Sequence, residues 1–339
     1  MGLDDLVNRV GIEPSGNTIL GGYTKMVYNS NGVNYLESLF ADKRKLVDVS
    51  DKEKYYNEVS RILSKGYTLE DVMDFANHQV YKPDWQLYNK ALGLFISAAV
   101  NKIVERGEKI EWTLVKPISL LFYKLKDCEV HINEAGDWLG ENAENSKFYV
   151  KEAGDDAGHQ AKDSMFAIKE VGNHLGDSAE RCQFYVEKDG GYAGWQSKDS
   201  KFTIKEAGYS LGGNAERCQF YVEKAGNELG CLAKKCEFYV GEAGDYAGYL
   251  AKGSKFTINK AGNWLGDDSE RCEFNVGKAG RNTGWLAEDS EFIINEAGDW
   301  LRDNTKRYKF DVDMDIMDVI DYQRLEHSGQ IIKSKSMER

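Results

Sequence analysis

Five of the six cysteines, Cys128, Cys182, Cys218, Cys236 and Cys272, are separated by multiples of 18 residues. Thiols in such a column could ligate a metal, and Cys218 and Cys236, one interval apart, could bridge. Serine fills the intervening places, Ser146, Ser164, Ser200, Ser254 and Ser290. That interchange favours a third reading, a small buried residue, because serine supports neither a metal–thiolate site nor a disulfide. No CxxC occurs, and none of His78, His131, His159, His174 and His327 stands at ligand spacing or beside a nucleophile. The glycine-rich GNTILGGYTK near the start lacks the spacing and lysine placement of a phosphate loop. A second column, Asp137, Asp155, Asn173, Asn227, Asp245, Asn263 and Asp299, could hold calcium, but Tyr209 and Arg281 interrupt it. Asx of a turn, bonded to its own backbone, is the simpler reading. No catalytic constellation, cofactor site or metal site is predicted.

Aromatic residues are placed more informatively. Trp138, His174, Trp264 and Trp300 each precede a leucine, whereas Trp195, Tyr249 and Trp285 follow two residues after an alanine or threonine. His159 sits in the same place. Corner packing that balances volume is one reading; a ridge that docks a partner, the helical domain or a carbohydrate is the other. A second row, Tyr149, Tyr185, Tyr221 and Tyr239, is expected to point outward from strands, where tyrosine suits both strand propensity and an interface.

These columns exist because the chain repeats every 18 residues. Ten copies, beginning at Cys128, Ser146, Ser164, Cys182, Ser200, Cys218, Cys236, Ser254, Cys272 and Ser290, run without insertion or deletion. The pattern is [C/S]-x-F-x-[V/I]-x-[E/K]-A-G-[D/N]-x-[L/A]-G-x-x-A-x-x; the first residue is position 1 below. AERCQFYVEK, present at Ala179–Lys188 and Ala215–Lys224, is the junction between copies. Alternation at positions 1, 3 and 5 predicts a half-buried strand. The Ala-Gly-Asx step predicts a turn whose glycine takes positive φ. A single strand and turn bury nothing alone, so copies must stack. The fold class is α+β, a helical N-terminal domain followed by a parallel β-solenoid of about ten coils. Hexapeptide, calcium-nonapeptide and helical solenoids fail on spacing: stepping by six from Val186 meets Tyr192 and Lys198.

Stretches such as AGDYAGYLAKGSKFTINKAGNWLG (Ala243–Gly266) carry the Ala-Gly-[Asp/Asn]-x-x-Gly turn and a Lys-Gly-Ser-Lys lead-in. In these features residues 110–312 resemble the right-handed β-helix that forms the C-terminal domain of large glutamate synthase chains. They are similar also to the third subunit of formylmethanofuran dehydrogenase. The resemblance implies a right-handed, non-catalytic scaffold that positions neighbouring catalytic parts. Cys or Ser replaces the paired glycine that those families carry before the strand.

Three segments are expected: residues 1–109 mainly helical, 110–312 the solenoid, and 313–339 a cap helix and polar tail. Counting back one period makes Ile110–Asp127 a degenerate coil with Ile110 at position 1; Tyr308, Phe310 and Val312 begin a last partial one. Ser50 with Glu53 predicts a helix to about Ser64, Thr68 a second, and Asp84 a third running to about Arg106. The cap helix is expected over Asp315–Leu325. Most of the net charge of −12 lies in the middle: residues 128–307 carry 22 basic and 32 acidic side chains, while 1–127 carry 17 of each and 308–339 carry 5 and 7. That argues against nucleic acid and anionic membrane as partners. Scattered cysteines and the absence of a signal-like stretch predict the cytoplasm. The expected role is a non-catalytic scaffold for another protein, with three rivals: an accessory subunit of a redox or amidotransfer enzyme, an acidic mimic of DNA, and an ice-binding or adhesion protein, for which Thr203 and Thr257 are too few outward threonines.

Overall fold

A computed structural model describes residues 30–44, 51–64, 66–298 and 309–312. Trp300, Ser50, the cap-helix segment and the tail lie outside the described residues. Among the described residues four α-helices precede parallel strands that form a β-solenoid of about ten turns at 18-residue spacing. The chain divides into two compact units, Met1–Gly172 and Asn173–Arg339.

In the first unit, helix α1 (Asn31–Lys43) starts at Ser30, whose side chain accepts from the Val33 N–H. It buries Val33, Leu36 and Phe40, one helical stripe. No element is assigned here from sequence, although the cap and the stripe are both legible. Helix α2 (Lys52–Ile62) is capped by Asp51, which accepts from the Lys54 N–H at 2.9 Å, so the cap is one residue later than expected. Helix α3 (Leu69–Gln79) has the expected Thr68 cap, completed by Asp71 as a capping box. The next cap differs: Asp84 makes no side-chain capping hydrogen bond and opens only a 3-10 turn, Trp85–Tyr88. Helix α4 then runs Asn89–Ile103 and buries every residue from Ala91 to Val100, as its all-round apolar pattern requires. Phe40, Phe75 and Phe95 meet with ring centroids 5.3–5.7 Å apart and form the helical core.

Strand β1 (Lys109–Trp112) pairs with β2 (Glu129–Ala135), Ile110 opposite Val130 and Trp112 opposite Ile132. Ile110 therefore occupies position 3, not position 1. The first coil holds two extra residues before its corner, since Leu121 already stands where position 12 should be: its carbonyl accepts the Gly140 N–H, as Leu139 accepts from Gly158. Strands β3 (Lys147–Ala153) and β4 (Met165–Asn173) continue in register at 18 residues. In the second unit β5 (Gln183–Gly191), β6 (Lys201–Ala207), β7 (Gln219–Ala225), β8 (Glu237–Ala243), β9 (Lys255–Ala261), β10 (Glu273–Ala279), β11 (Glu291–Ala297) and β12 (Lys309–Val312) pair likewise. Phe310 lies opposite Phe292 and Val312 opposite Ile294, as the partial last coil requires.

Position 3 carries the core. Phe184, Phe202, Phe220, Phe238, Phe256, Phe274 and Phe292 stack nearly parallel in the second unit, centroids 4.6–4.9 Å apart, which is the strand spacing. Burying each ring is worth about 1.5–3 kcal/mol. The position-13 glycine faces this stack: a Cβ on Gly212 would lie 2.7 Å from the Phe220 ring.

The expected role of the turn glycine needs correction. The glycine of the Ala-Gly-Asx step is needed for close approach: a Cβ on Gly154 would collide with the Asp137 backbone nitrogen and carboxylate of the coil before. Positive φ falls instead at positions 11, 13, 15 and 18, as in Trp138, Gly140, Asn142 and Asn145. Such φ in a non-glycine residue costs on the order of 1 kcal/mol. It lets N–H groups alternate between neighbours: Trp138 donates forward to the Asp155 carbonyl and Gly140 back to that of Leu121.

Candidate interaction surface

The cysteine and serine column is a hydrogen-bond ladder. Each position-1 side chain accepts the position-1 N–H of the coil before: Cys182 N–H donates to Ser200 Oγ at 3.0 Å, and Cys218 N–H to Cys236 Sγ at 3.3 Å. The hydroxyl or thiol then donates to the carbonyl two residues earlier, as Ser200 does to Lys198 at 2.8 Å. All six cysteines are free and buried. Burial pushes the Cys231 and Cys272 thiols up to about 11, and the Cys218 thiol together with burial raises Cys236 as well. Among the described residues no three His, Cys, Asp or Glu side chains group as a metal site.

The Asx column is a second ladder running the other way. Asp137 Oδ1 accepts the Asp155 N–H at 3.1 Å, Asn227 Oδ1 that of Asp245, and Asn263 Oδ1 that of Arg281. Asx here bonds the next coil rather than its own turn. Its start is supplied from outside the repeat: Asp137 N–H donates to Ser119 Oγ, and Ser119 N–H to Asn89 Oδ1 of α4.

Asp189 is a buried carboxylate outside both ladders. It occupies position 8, alanine or valine in the neighbouring coils, and is 4% exposed. Neither oxygen has a hydrogen bond of normal geometry. Burial raises it to about 7, which the Gly208 N–H offsets only in part.

The aromatic residues separate by environment. Trp138 is covered by helical lysines: Lys90 Nζ lies 4.1 Å and Lys52 Nζ 5.3 Å from its ring centroid. Lys52 also pairs with the Glu141 carboxylate at 2.6 Å. Burial alone would raise Glu141, yet the hydrogen-bonded Lys52 ammonium and the His159 ring 3.6 Å away hold it below the usual range. In the second unit two ring clusters form. His174 stacks on Tyr192, which meets Trp195 and Tyr209. Farther along, Tyr246 stacks on Trp264 and meets Tyr249, and Trp264 meets Trp285 edge-on. Tyr192, Tyr209 and Tyr246 are additions to the ridge expected from sequence, although Tyr192 and Tyr246 stand at the same position as Trp138 and Trp264. Trp195 lies against Gly213, where any Cβ would strike its ring, so volume is balanced between successive coils at position 14.

The tyrosine row is mixed. Tyr149 is buried, at 7% exposure, and stacks on His131, so it presents no open ring. Tyr185 and Tyr221 are half-buried and Tyr239 is exposed. Tyr221 and Tyr239 stack at 5.0 Å, and Lys201 Nζ sits 4.5 Å from the Tyr221 centroid. Ion pairs join successive coils, Arg217 with Asp199, Lys252 with Glu270 and Lys255 with Glu273. Among the described residues no helix is long and apolar enough to cross a membrane.

Fold and surface define a β-solenoid repeat protein with an aromatic corner. Compared with protein-family models, with curated proteins and with solved structures, the chain matches none.

Proposed function

We propose that this protein is a non-catalytic scaffold that binds another protein along the aromatic corner of its second unit. The observation that carries the reading is a contrast. The repeated hydroxyls, thiols and Asx side chains, which could have done chemistry, are committed to ladders between coils. The rings at positions 10, 11 and 14 stay half-exposed or exposed, with Tyr209 at 40% and Tyr246 at 37%. Exposed tyrosine and tryptophan on a fixed frame are what protein interfaces draw on. Six free thiols suit a reducing compartment, the cytoplasm.

The β-helix resemblance supports a narrower version, an accessory subunit beside the catalytic chain of a redox or amidotransfer enzyme. Acidic mimicry of DNA is disfavoured, because basic residues are interspersed with the acids and pair with them between coils, as Arg217 does with Asp199, Lys252 with Glu270 and Lys255 with Glu273. Affinity capture with the full chain is expected to recover a defined protein partner, lost in the triple variant Trp195→Ala, Tyr249→Ala, Trp285→Ala. Turnover of a small substrate by the pure protein, with no macromolecular partner, would sink the reading.

A further inference from the structure

The element Trp-Leu-Gly-acid occurs twice among the described residues, as Trp138-Leu139-Gly140-Glu141 and Trp264-Leu265-Gly266-Asp267. Both copies hold the same backbone, with φ of 58° and 59° at the tryptophan and 63° and 67° at the glycine. In both the acid is buried, 3% exposed at Glu141 and 8% at Asp267. Their environments then diverge. Glu141 is satisfied by the ammonium of Lys52, at 2.6 and 2.7 Å, while Lys52 and Lys90 lie over the Trp138 ring. Asp267 Oδ1 is shut away from solvent and has no hydrogen-bond partner among the described residues. The neighbouring coils place Tyr249 and Trp285 at the same position, and Tyr246 stacks on Trp264 at 5.9 Å. Asp268 and Glu228 add negative charge to this corner, and Arg281 is the next-coil neighbour of Trp264, its carbonyl accepting the Trp264 N–H.

A buried carboxylate without a partner is unfavourable, and an ammonium is attracted both to it and to tryptophan and tyrosine faces. The first unit shows the complete arrangement, a helical lysine seated on ring and acid together. We propose that the Trp264–Asp267 corner is the docking point for a lysine presented by a helix of a partner protein. This rests on the scaffold reading and names the chemistry of its partner. Burial and the adjacent Asp268 raise Asp267 to about 6, so the carboxylate is charged and ready for a cation at neutral pH.

The test uses the full chain and an alanine-rich helical peptide bearing lysines four residues apart, with a norleucine-for-lysine peptide as control. A water-soluble carbodiimide, which joins a carboxylate to an amine in contact with it, is added at pH 7, and the joined residues are mapped by mass spectrometry. The expected result is a peptide adduct at Asp267 for the lysine peptide only, absent in Asp267→Asn and reduced at least fivefold in Trp264→Ala. Tryptophan fluorescence should respond to the lysine peptide in wild type and not in Asp267→Asn, whose near-isosteric side chain keeps the corner folded. Adducts confined to Asp268, Glu228 or other surface carboxylates, or no adduct at all, would overturn the assignment. Capture of a partner by the chain, measured separately, would leave the scaffold reading standing in that event.

Discussion

At position 1 a hydroxyl or thiol is required because two backbone groups depend on it, the N–H of the coil before and the carbonyl two residues earlier. Ser200 serves Cys182 and Lys198 in this way. Ser200→Ala should therefore cost about 1–3 kcal/mol, the penalty of stranding a buried donor. Ser200→Cys should cost clearly less, since sulfur serves the same ladder at Cys236; denaturant melts of the two variants measure the difference. Equal losses would show that volume, not hydrogen bonding, governs the column. Asp189 works in the opposite sense. The folded chain holds its proton up to about pH 7, whereas the unfolded carboxyl releases near pH 4. The folded state thus binds more protons across that window, and this group's contribution declines as pH rises from about 4 to 7. The loss is of the order of a few kcal/mol. Asp189→Ala should raise the melting temperature more at pH 8 than at pH 5. A pH-independent gain would contradict the buried charge.

Among the elements, α4 has a duty that no repeat unit performs. The first coil has no coil before it, so its corner would expose unpaired backbone groups. Asn89, Ser97 and Asn101 of α4 supply the missing partners. Ser119 N–H donates to Asn89, Ser97 donates to the Leu120 carbonyl and accepts from Tyr123 N–H, and Asn101 donates to the Tyr123 carbonyl. Gly93 lets the helix approach, since a Cβ there would run into the Ser119 carbonyl. The double variant Ser97→Ala, Asn101→Ala should lose about 2–4 kcal/mol of stability by the same unsatisfied-group penalty. The check is a denaturation midpoint read by far-ultraviolet circular dichroism. An unchanged midpoint would mean that α4 is held by its apolar face alone.

For the molecule as a whole, the cysteines report on how tightly the coils stack. Cys231, Cys236 and Cys272 are shifted upward, while the contact with Cys236 lowers Cys218. Burial of all six, Cys218 included, should leave native protein at pH 8 with almost no rapid reaction with a disulfide reagent. Six equivalents should react after unfolding in guanidinium. Fast reaction of two or more native thiols would show that the coils open readily.

The 18-residue period, the inward Phe and Val or Ile columns and the interchange of Cys with Ser were all legible because stacking forces every coil to repeat its neighbours. The Thr68 cap and the buried α4 pattern were legible for a local reason, since caps and stripes are written within a few residues. The sequence by itself thereby determined a parallel solenoid behind a helical segment. What only the tertiary structure decided were the contacts between positions 18 or more apart. The Asx side chains turn from their own backbone to the next coil, and positive φ falls on Trp138 and Asn142 rather than on Gly136, because hydrogen bonding to both neighbours outweighs local preference. The same reason separates Trp138 from Trp264. Their local sequences nearly match, and only the presence or absence of a lysine brought in by a distant helix makes one a packed corner and the other an open one.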